Sequence, residues 1–254
     1  MASAIIGGLI NNANIAPDEI IAADASEAAL EKAASSLKIN TTTDNCLVAS
    51  ESEVLFLSVK PQYYEVVIAG IKDVLPKNQV IVTIAPGKTL EWLAEHLGNT
   101  VKIVRTMPNT PALVGEGITG VCKNELVSDE EFAYVMSLLG SFGLAEAIPE
   151  SLMDVCVSVS GSSPAYVFMF IEAMADAAVA DGMPRAQAYK FAAQAVLGSA
   201  KMVLETGKHP GELKDMVCSP AGTTIEAVRV LEEKGFRSSV IEAMKACTRK
   251  AKGL

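Results

Sequence analysis

The sequence is poor in the residues from which hydrolytic and metal sites are usually built. It contains two histidines, His96 and His209, and an odd number of widely spaced cysteines without a C-x-x-C pair (Cys46, Cys122, Cys156, Cys218 and Cys247). The G-x-S-x-G pattern of serine hydrolases is missing too. We therefore expect no metal site and no conventional nucleophile with its base, and we expect both histidines to be structural. The unpaired cysteines are typical of a protein from the reducing cytoplasm.

Basic charge is also scarce. Lysine and arginine number 21 against 30 acidic residues, a net charge of −9, and no basic stripe is present that could neutralise phosphates. The longest apolar run, Pro164 to Ala180, is interrupted by Glu172 and Asp176, whose transfer into lipid would be costly. The sequence shows no signal-peptide pattern, in which a charged region and an apolar core precede a cleavage site. We expect a soluble cytoplasmic protein that binds neither nucleic acid nor a membrane.

Residues 1–150 alternate short β-branched runs with helical patterns. This alternation is typical of βαβ units, in which helices cover both faces of a parallel sheet, and it predicts an α/β domain. The predicted strands are Ile20–Ala23, Val54–Val59, Val80–Ile84, Val101–Thr106 and Ile118–Cys122. The predicted helices are Ala25–Leu37, Gln62–Leu75, Leu90–Leu97 and Asp129–Phe142.

Three of the predicted strands end in distinctive segments, which are Ser58-Val59-Lys60-Pro61, Ile84-Ala85-Pro86-Gly87 and Arg105-Thr106-Met107-Pro108-Asn109-Thr110-Pro111. Each segment alone fits ordinary turn chemistry, but three at the carboxyl ends of neighbouring strands favour a cofactor crevice. Asp24 ends the first predicted strand, where a dinucleotide-binding domain places an acid against the adenine ribose. Such an acid would repel a 2′-phosphate and favour NADH, yet Asp24 fits the N-terminal acid of the next helix equally well.

From about residue 151 the pattern is helical only, which predicts a second, all-α domain over residues 151–254. Two long helices, apolar on nearly all sides, run from Ser163-Pro164 to about Asp181 and from Pro184 to about Gly207. Helices of this kind must be buried on nearly all sides. A small domain achieves this more easily by packing against a partner subunit, so we expect a homo-oligomer. Three shorter helices are predicted at His209–Val217, Thr224–Lys234 and Gly235–Gly253.

One turn in this half, Ser219-Pro220-Ala221-Gly222-Thr223-Thr224, runs into an amphipathic helix. The free N–H groups and the dipole of a helix N-terminus can hold a small carboxylate without any lysine or arginine. Taken in isolation, the turn fits a capped helix start at least as well. A carboxylate-binding turn of this kind, which we call the cradle, and one hydroxyl would be nearly sufficient for hydride transfer to a protonated imine. The reason is that a nicotinamide carries the chemistry.

These segments, in this order, resemble the pyrroline-5-carboxylate reductase family over essentially the whole chain. The matching stretches are Val59–Pro61, Met107–Val114, Val159–Tyr166, Gly182–Arg185, His209–Gly211, Leu213–Asp215 and Ser219–Thr224. The resemblance implies reduction of 1-pyrroline-5-carboxylate to L-proline with NADPH or NADH, the last step of proline biosynthesis. It also implies a Rossmann-type N-terminal domain and a helical C-terminal domain that dimerises, often within decamers.

The resemblance also implies roles for individual residues. The substrate carboxylate would bind the backbone amides of Gly222, Thr223 and Thr224, with Ser219 shaping the turn. The Thr224 hydroxyl would be the catalytic group at the ring nitrogen, with Glu150 close to the same site. The residues implied for the cofactor are Met1, Asp24, Asn45, Val59, Lys60, Pro61, Pro86, Gly87 and Asn109.

The chain departs from the family pattern at two places. Ala221 stands where many members have glycine, so we expect the turn to avoid a glycine-only backbone conformation there. Met1–Ile10 resembles the helix that follows the family's Gly-rich turn, so the first strand and that turn are missing. We expect a reading frame that starts upstream rather than a real deletion. Two alternatives remain open: a related imine or 2-oxoacid reductase, and a non-catalytic oligomeric relative with impaired cofactor binding.

Overall fold

The computed structural model describes residues 1–253, which form two compact units. The first unit comprises residues 1–162 together with the C-terminal segment from Cys247, and the second comprises Ser163–Ala246. All strands among the described residues lie in the first unit. The predicted fold class, an α/β domain followed by an all-α domain, is confirmed.

The first unit contains seven strands and seven α-helices before a short π-helical turn, Val157–Gly161. The strands are β1 (Ile21–Ala23), β2 (Asn40–Thr42), β3 (Val54–Leu57), β4 (Val80–Thr83), β5 (Lys102–Met107), β6 (Gly117–Lys123) and β7 (Gly143–Ala147). The helices are α1 (Ala2–Asn12), α2 (Glu27–Leu37), α3 (Asn45–Glu51), α4 (Tyr64–Ile71), α5 (Leu90–Leu97), α6 (Asp129–Gly140) and α7 (Met153–Cys156). All five predicted strands are present with slightly shifted ends, whereas β2, β7 and α3 were not predicted.

The strands form two separate sheets. β1 pairs only with β2, in parallel, while β3 to β7 form a second sheet in sequence order. In agreement with the sequence, the described residues supply no strand that pairs with both β1 and β3. The expectation of a wholly parallel sheet is wrong at one point, because β6 runs antiparallel to β5. The short connection over residues 108–116 explains this, since a parallel pair needs a longer crossover.

β4 lies within the larger sheet and all four of its residues are buried. Val80 and Val82 enter one apolar cluster, with Val104 of β5 and residues of α1 and α6, while Ile81 enters a second cluster on the opposite face. β3 contributes side chains to both clusters, whereas Ile21 and Ala23 of β1 pack against the second. Helices therefore cover both faces of the sheet, as the uninterrupted apolar strands predict.

The C-terminal segment of the chain returns to the first unit. The Cys247 thiol donates to the Ser162 hydroxyl at 3.3 Å, and the Thr248 hydroxyl donates to the Ser158 hydroxyl at 2.8 Å. These bonds fix the segment beside the π-helical turn, next to the point where the chain leaves the first unit at Ser162.

The second unit is helical throughout, with α8 (Ser163–Ala180), α9 (Arg185–Thr206), α10 (Pro210–Val217), α11 (Thr223–Glu233) and α12, which spans Phe236–Ala251 and ends in the first unit. α8 and α9 pack against each other through small residues such as Ala175 and Ala188, which are buried. Their large apolar side chains stay exposed: Met169 is 68% and Leu204 80% accessible. The expected burial of these helices is therefore not achieved within one chain.

Among the described residues, one continuous helical stretch, Glu150–Ala180, includes α7, the π-helical turn and α8. It is long and apolar enough to cross a membrane by length and composition alone. Only 11% of its most apolar window is buried inside the chain. An exposed apolar surface of this extent marks an interaction site.

Two adjacent glycines in α1 provide a matched test of how tightly this helix docks. A Cβ on Gly7 meets nothing within 4 Å, whereas a Cβ on Gly8 would lie 2.7 Å from the Phe142 Cβ. Gly7→Ala should raise the free energy of unfolding by up to about 1 kcal/mol through helix propensity. Gly8→Ala should lower it by about 1–3 kcal/mol because the helix must shift. Urea unfolding measures the free energy of unfolding of both variants, and equal changes would contradict close packing of α1 on Phe142.

Candidate functional site

The carboxyl ends of β3, β4 and β5 lie side by side, because these strands are parallel and paired in register. The buried Tyr64 ties two of these ends together. Its hydroxyl donates to the Leu57 carbonyl at 2.6 Å and accepts from the Ile84 N–H at 3.3 Å. Burial raises the pKa of Tyr64 to about 12, so the phenol keeps its proton and its donor role. The three segments singled out in the sequence therefore share one edge of the sheet.

Several groups at this edge are open to a ligand. Lys60, Pro86 and Gly87 are exposed, and Val59 and Pro61 are half-buried. Gly87 has φ +74°, a left-handed conformation that favours glycine, and a Cβ there would meet open space. Glycine is thus used here for its backbone conformation, and the edge offers a cation beside exposed main chain.

Three further residues predicted for the cofactor are exposed elsewhere in the first unit. One Asp24 carboxylate oxygen accepts from the Ser26 N–H at 2.8 Å, just before α2. Asn45 is the first residue of α3, which Asp44 caps. Met1 is the N-cap of α1 and forms no side-chain cap, so the first amides of this helix are available to an anion. An acid, an amide, a cation and a helix N-terminus are the kinds of group that dinucleotide-binding domains use.

Asn109 differs from the other residues predicted for the cofactor, because its side chain is directed into the protein. It is 7% exposed. Its Nδ2 donates to the Ser160 carbonyl at 3.1 Å, and its Oδ1 accepts from the Ile118 N–H at 2.9 Å. Both ends of the amide are therefore bound within the first unit.

Glu150, which the sequence places at the substrate, also has partners inside the first unit. Its Oε1 accepts from Arg105 Nη1 at 2.8 Å and from the backbone N–H of Leu90, the first residue of α5, at 2.7 Å. The Arg105 side chain is 6% exposed, and its Nη2 lies 4.0 Å from the Asp154 carboxylate. Arg105 begins one of the distinctive strand ends, but the sequence predicted no role for it. The available signal was an arginine within an apolar strand, since a buried charge requires a partner.

The turn Ser219–Thr224 lies in the second unit and leads into α11. Gly222 is the N-cap of this helix and no side chain caps it. The amides of Thr223 and Thr224 are the first two of the helix, so they have no acceptor within it and can bind an anion. The Gly222 amide differs from the prediction, because it donates to the Ser219 carbonyl at 3.0 Å. A Cβ on Gly222 would lie 2.4 Å from Ser219 Oγ, so only glycine lets that hydroxyl lie against the turn.

Ala221 adopts a left-handed conformation, with φ +57°. We expected an alanine here to exclude a conformation that favours glycine. The structure instead retains it, at a steric cost of about 1–2 kcal/mol for a residue with a Cβ. The turn is therefore strained directly beside the amides that could hold a carboxylate.

Both histidines make structural contacts through Nδ1. His209 Nδ1 accepts from the Gly211 N–H at 3.0 Å and caps α10. His96 stacks on Trp92 with ring centroids 3.8 Å apart, and its Nδ1 lies 2.7 Å from the Trp92 carbonyl. No group of three or more histidine, cysteine or acidic side chains suited to a metal ion occurs within residues 1–253.

The strain at Ala221 gives a testable effect on stability. Ala221→Gly should raise the free energy of unfolding by about 0.5–1 kcal/mol, because relief of strain exceeds the added entropy of the unfolded chain. Ala227→Gly, an exposed position inside α11, is the matched control and should lower it by about 1 kcal/mol. Calorimetry measures the free energy of unfolding of both variants, and a lower value for both would contradict a left-handed Ala221.

The ion pair at Glu150 should be visible in the titration of a neighbouring thiol. Cys122 lies opposite Arg105 in the β5–β6 register. Burial raises the pKa of the Cys122 thiol to about 11, the Glu150 charge adds to the rise, and Arg105 opposes it. Glu150→Gln should lower this pKa, yet leave it above the usual range because burial remains.

The measurement is thiolate absorbance against pH in a background whose other four cysteines are replaced by serine. Glu91→Gln, which removes an exposed acid from the first turn of α5, should leave the titration unchanged. Equal shifts in both variants would show that Glu150 does not act on the thiol directly.

Comparisons with known proteins agree with this arrangement. Residues 150–254 match the family model for pyrroline-5-carboxylate reductase dimerisation, and residues 1–87 match one described as NADP oxidoreductase, coenzyme F420-dependent. The pyrroline-5-carboxylate reductase of Escherichia coli is 55% identical over 100% of this chain and 94% of its own length. That of Methanosarcina acetivorans is 41% identical over the same shares.

Solved structures are similar over almost the whole fold. A pyrroline-5-carboxylate reductase from Coxiella burnetii has a TM-score of 0.91 at 35% identity and covers 99% of this chain and 94% of its own. The Plasmodium falciparum enzyme with NADP bound has a TM-score of 0.89 at 31% identity, covering 99% and 93%. These matches cover 99–100% of this chain and so extend over both units. The chain therefore belongs to the pyrroline-5-carboxylate reductase family.

Proposed function

We propose that this chain reduces 1-pyrroline-5-carboxylate to L-proline by hydride transfer from NADPH or NADH, the last step of proline biosynthesis. The observation that carries the proposal is the start of α11. Two amides without acceptors in the helix stand beside the Thr224 hydroxyl, in a chain 55% identical to a pyrroline-5-carboxylate reductase. This combination suits a small molecule that carries a carboxylate next to an imine.

On the substrate side, the Thr223 and Thr224 amides hold the carboxylate at the positive end of the helix dipole. The Thr224 Oγ1 accepts a hydrogen bond from the protonated imine nitrogen and orients the ring. Gly222 keeps the Ser219 hydroxyl against the turn, so both residues shape the cradle. The protein needs no strong acid here, because the substrate nitrogen already carries the proton that the product amine retains.

On the cofactor side, the bound nicotinamide supplies the hydride. Asp24 and Asn45 would bind the adenosine end, while Lys60, Pro86 and Gly87 would line the crevice over β3 and β4. The first amides of α1, next to Met1, would face a phosphate. Val59 and Pro61 support Lys60 at the same edge.

We infer that the exposed apolar faces of α8 and α9 are covered by a second copy of the chain in a dimer, and that dimers assemble further into a decamer. Residues 1–150 form the cofactor domain and residues 151–254 the dimerisation domain. With its acidic charge, the assembly works in the cytoplasm without nucleic acid or membrane as partner.

One alternative is an oligomeric relative that binds the cofactor poorly. A titration of NADPH and NADH by fluorescence, followed by an assay of proline formation, tests both readings. The same assays on a version extended by a β-branched strand and a Gly-rich turn separate them. Saturable binding and proline formation by this chain support the proposal. Activity of the extended version alone would assign the chain to the alternative, and turnover only of other imines or 2-oxoacids would indicate a related reductase.

Thr224 provides the sharpest test of the mechanism. Thr224→Ala should lower kcat about 10- to 100-fold, because one hydrogen bond to the reacting nitrogen is lost while the backbone cradle remains. Thr224→Ser keeps the hydroxyl and should retain most of the activity. Steady-state kinetics with thermal unfolding as a control measure the effect. Unchanged turnover in the alanine variant would remove Thr224 from the mechanism.

A further inference from the structure

The π-helical turn before α8 has a cause in the sequence. Residue 164, four positions after Ser160, is a proline, which has no N–H and whose ring displaces the carbonyl four residues earlier. The helix widens here over Val157–Gly161, and the Ser162 N–H donates to the Val157 carbonyl at 2.8 Å, five residues back. The Ser160 carbonyl thus cannot receive its regular α-helical bond.

Asn109 supplies a donor to that carbonyl. Its Nδ2 lies 3.1 Å from the Ser160 oxygen, and its Oδ1 accepts from the Ile118 N–H at the start of β6. The side chain is buried, so water does not compete for either bond. One amide therefore joins three segments: the loop after β5, the start of β6 and the π-helical turn.

A second contact holds the same loop. The end of the Met107 side chain packs on Gly161, where a Cβ would lie only 2.9 Å from Met107 Cε. Met107 and Asn109 thus fix the end of β5 against the turn through one apolar and one polar contact. This is the edge of the sheet at which β3 to β5 present their carboxyl ends.

We propose that Asn109 is a positioning residue, whose amide holds the loop after β5 against the π-helical turn and so sets the cofactor edge of the sheet, instead of contacting the cofactor. The inference rests on the proposed reductase function. A reacting centre displaced by about 1 Å loses roughly a hundredfold in rate, so a loop at this edge needs a fixed anchor. Asn109 provides it by using a carbonyl that Pro164 has freed.

The chain contains a matched control at the opposite end of β5. Asn124 makes the same pair of bonds, from Nδ2 to the Val101 carbonyl at 2.8 Å and from the Ile103 N–H to Oδ1 at 3.1 Å. Removal of the Asn124 amide should lower the stability of the fold to a similar extent, but at a place far from the cofactor edge. The comparison separates a positioning role from general stability.

The first experiment is a double-mutant cycle that needs no activity. Asn109→Ala should lower Tm by about 5 °C, since it leaves buried backbone groups unsatisfied. In a Pro164→Ala background the restored N–H of residue 164 can serve the Ser160 carbonyl, so the same substitution should lower Tm by only about half as much. Equal losses in both backgrounds would overturn the link between Asn109 and the π-helical turn.

The second experiment measures kcat, the KM and Kd of NADPH, and the isotope effect with 4-deuterated NADPH. Asn109→Ala should lower kcat about 10- to 100-fold and enlarge the isotope effect, while the cofactor Kd changes less than about twofold. Pro164→Ala should restore part of kcat in the double variant, and Asn124→Ala should lower Tm with kcat retained. A cofactor Kd raised tenfold or more by Asn109→Ala would instead assign direct contact.

Failure of the two proposals can be told apart. If the unaltered chain binds NADPH but does not form proline, the proposed reaction fails, while the Tm cycle and the Kd still report on Asn109. If the unaltered chain is active and the Asn109→Ala variant keeps its kcat, the positioning role is wrong and the reaction stands.

Discussion

The arrangement of the first unit depends on one buried charge. Arg105 sits inside β5 with 6% of its side chain exposed, and a guanidinium in that position must find a carboxylate. Glu150 meets this need and at the same time accepts from the first amide of α5. A strand, a helix N-terminus and the segment that enters α7 are thereby held at a single carboxylate oxygen. The neighbouring Cys122 thiol, whose pKa burial raises, remains neutral beside this pair.

The strands that the sequence revealed are those whose own composition decides their structure. β4 is apolar on both faces and is flanked by helical patterns, so its strand character is local. β2 consists of Asn40, Thr41 and Thr42, and β7 of Gly143 to Ala147 with mostly exposed side chains. Their pairing with β1 and β6 makes them strands, and neither a polar run of three residues nor a run of mainly Gly, Ala and Glu signals a strand by itself. The seven-residue α3 similarly depends on its Asp44 cap and on the buried Val48 and Ala49.

The candidate site likewise contains local features, which the sequence predicts, and contacts between distant residues, which it does not. The turn before α11 is made by consecutive residues, so turn chemistry and helix capping predicted the helix start there. Glu150 and Arg105 are 45 residues apart, and Asn109 and Ser160 are 51 apart. No periodicity links such pairs, and only the folded sheet brings them together. The sequence therefore located Asn109 just after β5, but it could not show that the side chain turns inward to a carbonyl on another element.

The return of the C-terminal segment to the first unit has a consequence for synthesis on the ribosome. The second unit is continuous from Ser163 to Ala246, so all of its residues can emerge and fold as one stretch. The first unit is discontinuous, because Cys247 and Thr248 bond to Ser162 and Ser158 from the last turns of α12. The part of the chain that is translated first is thus completed only after the whole second unit has been translated.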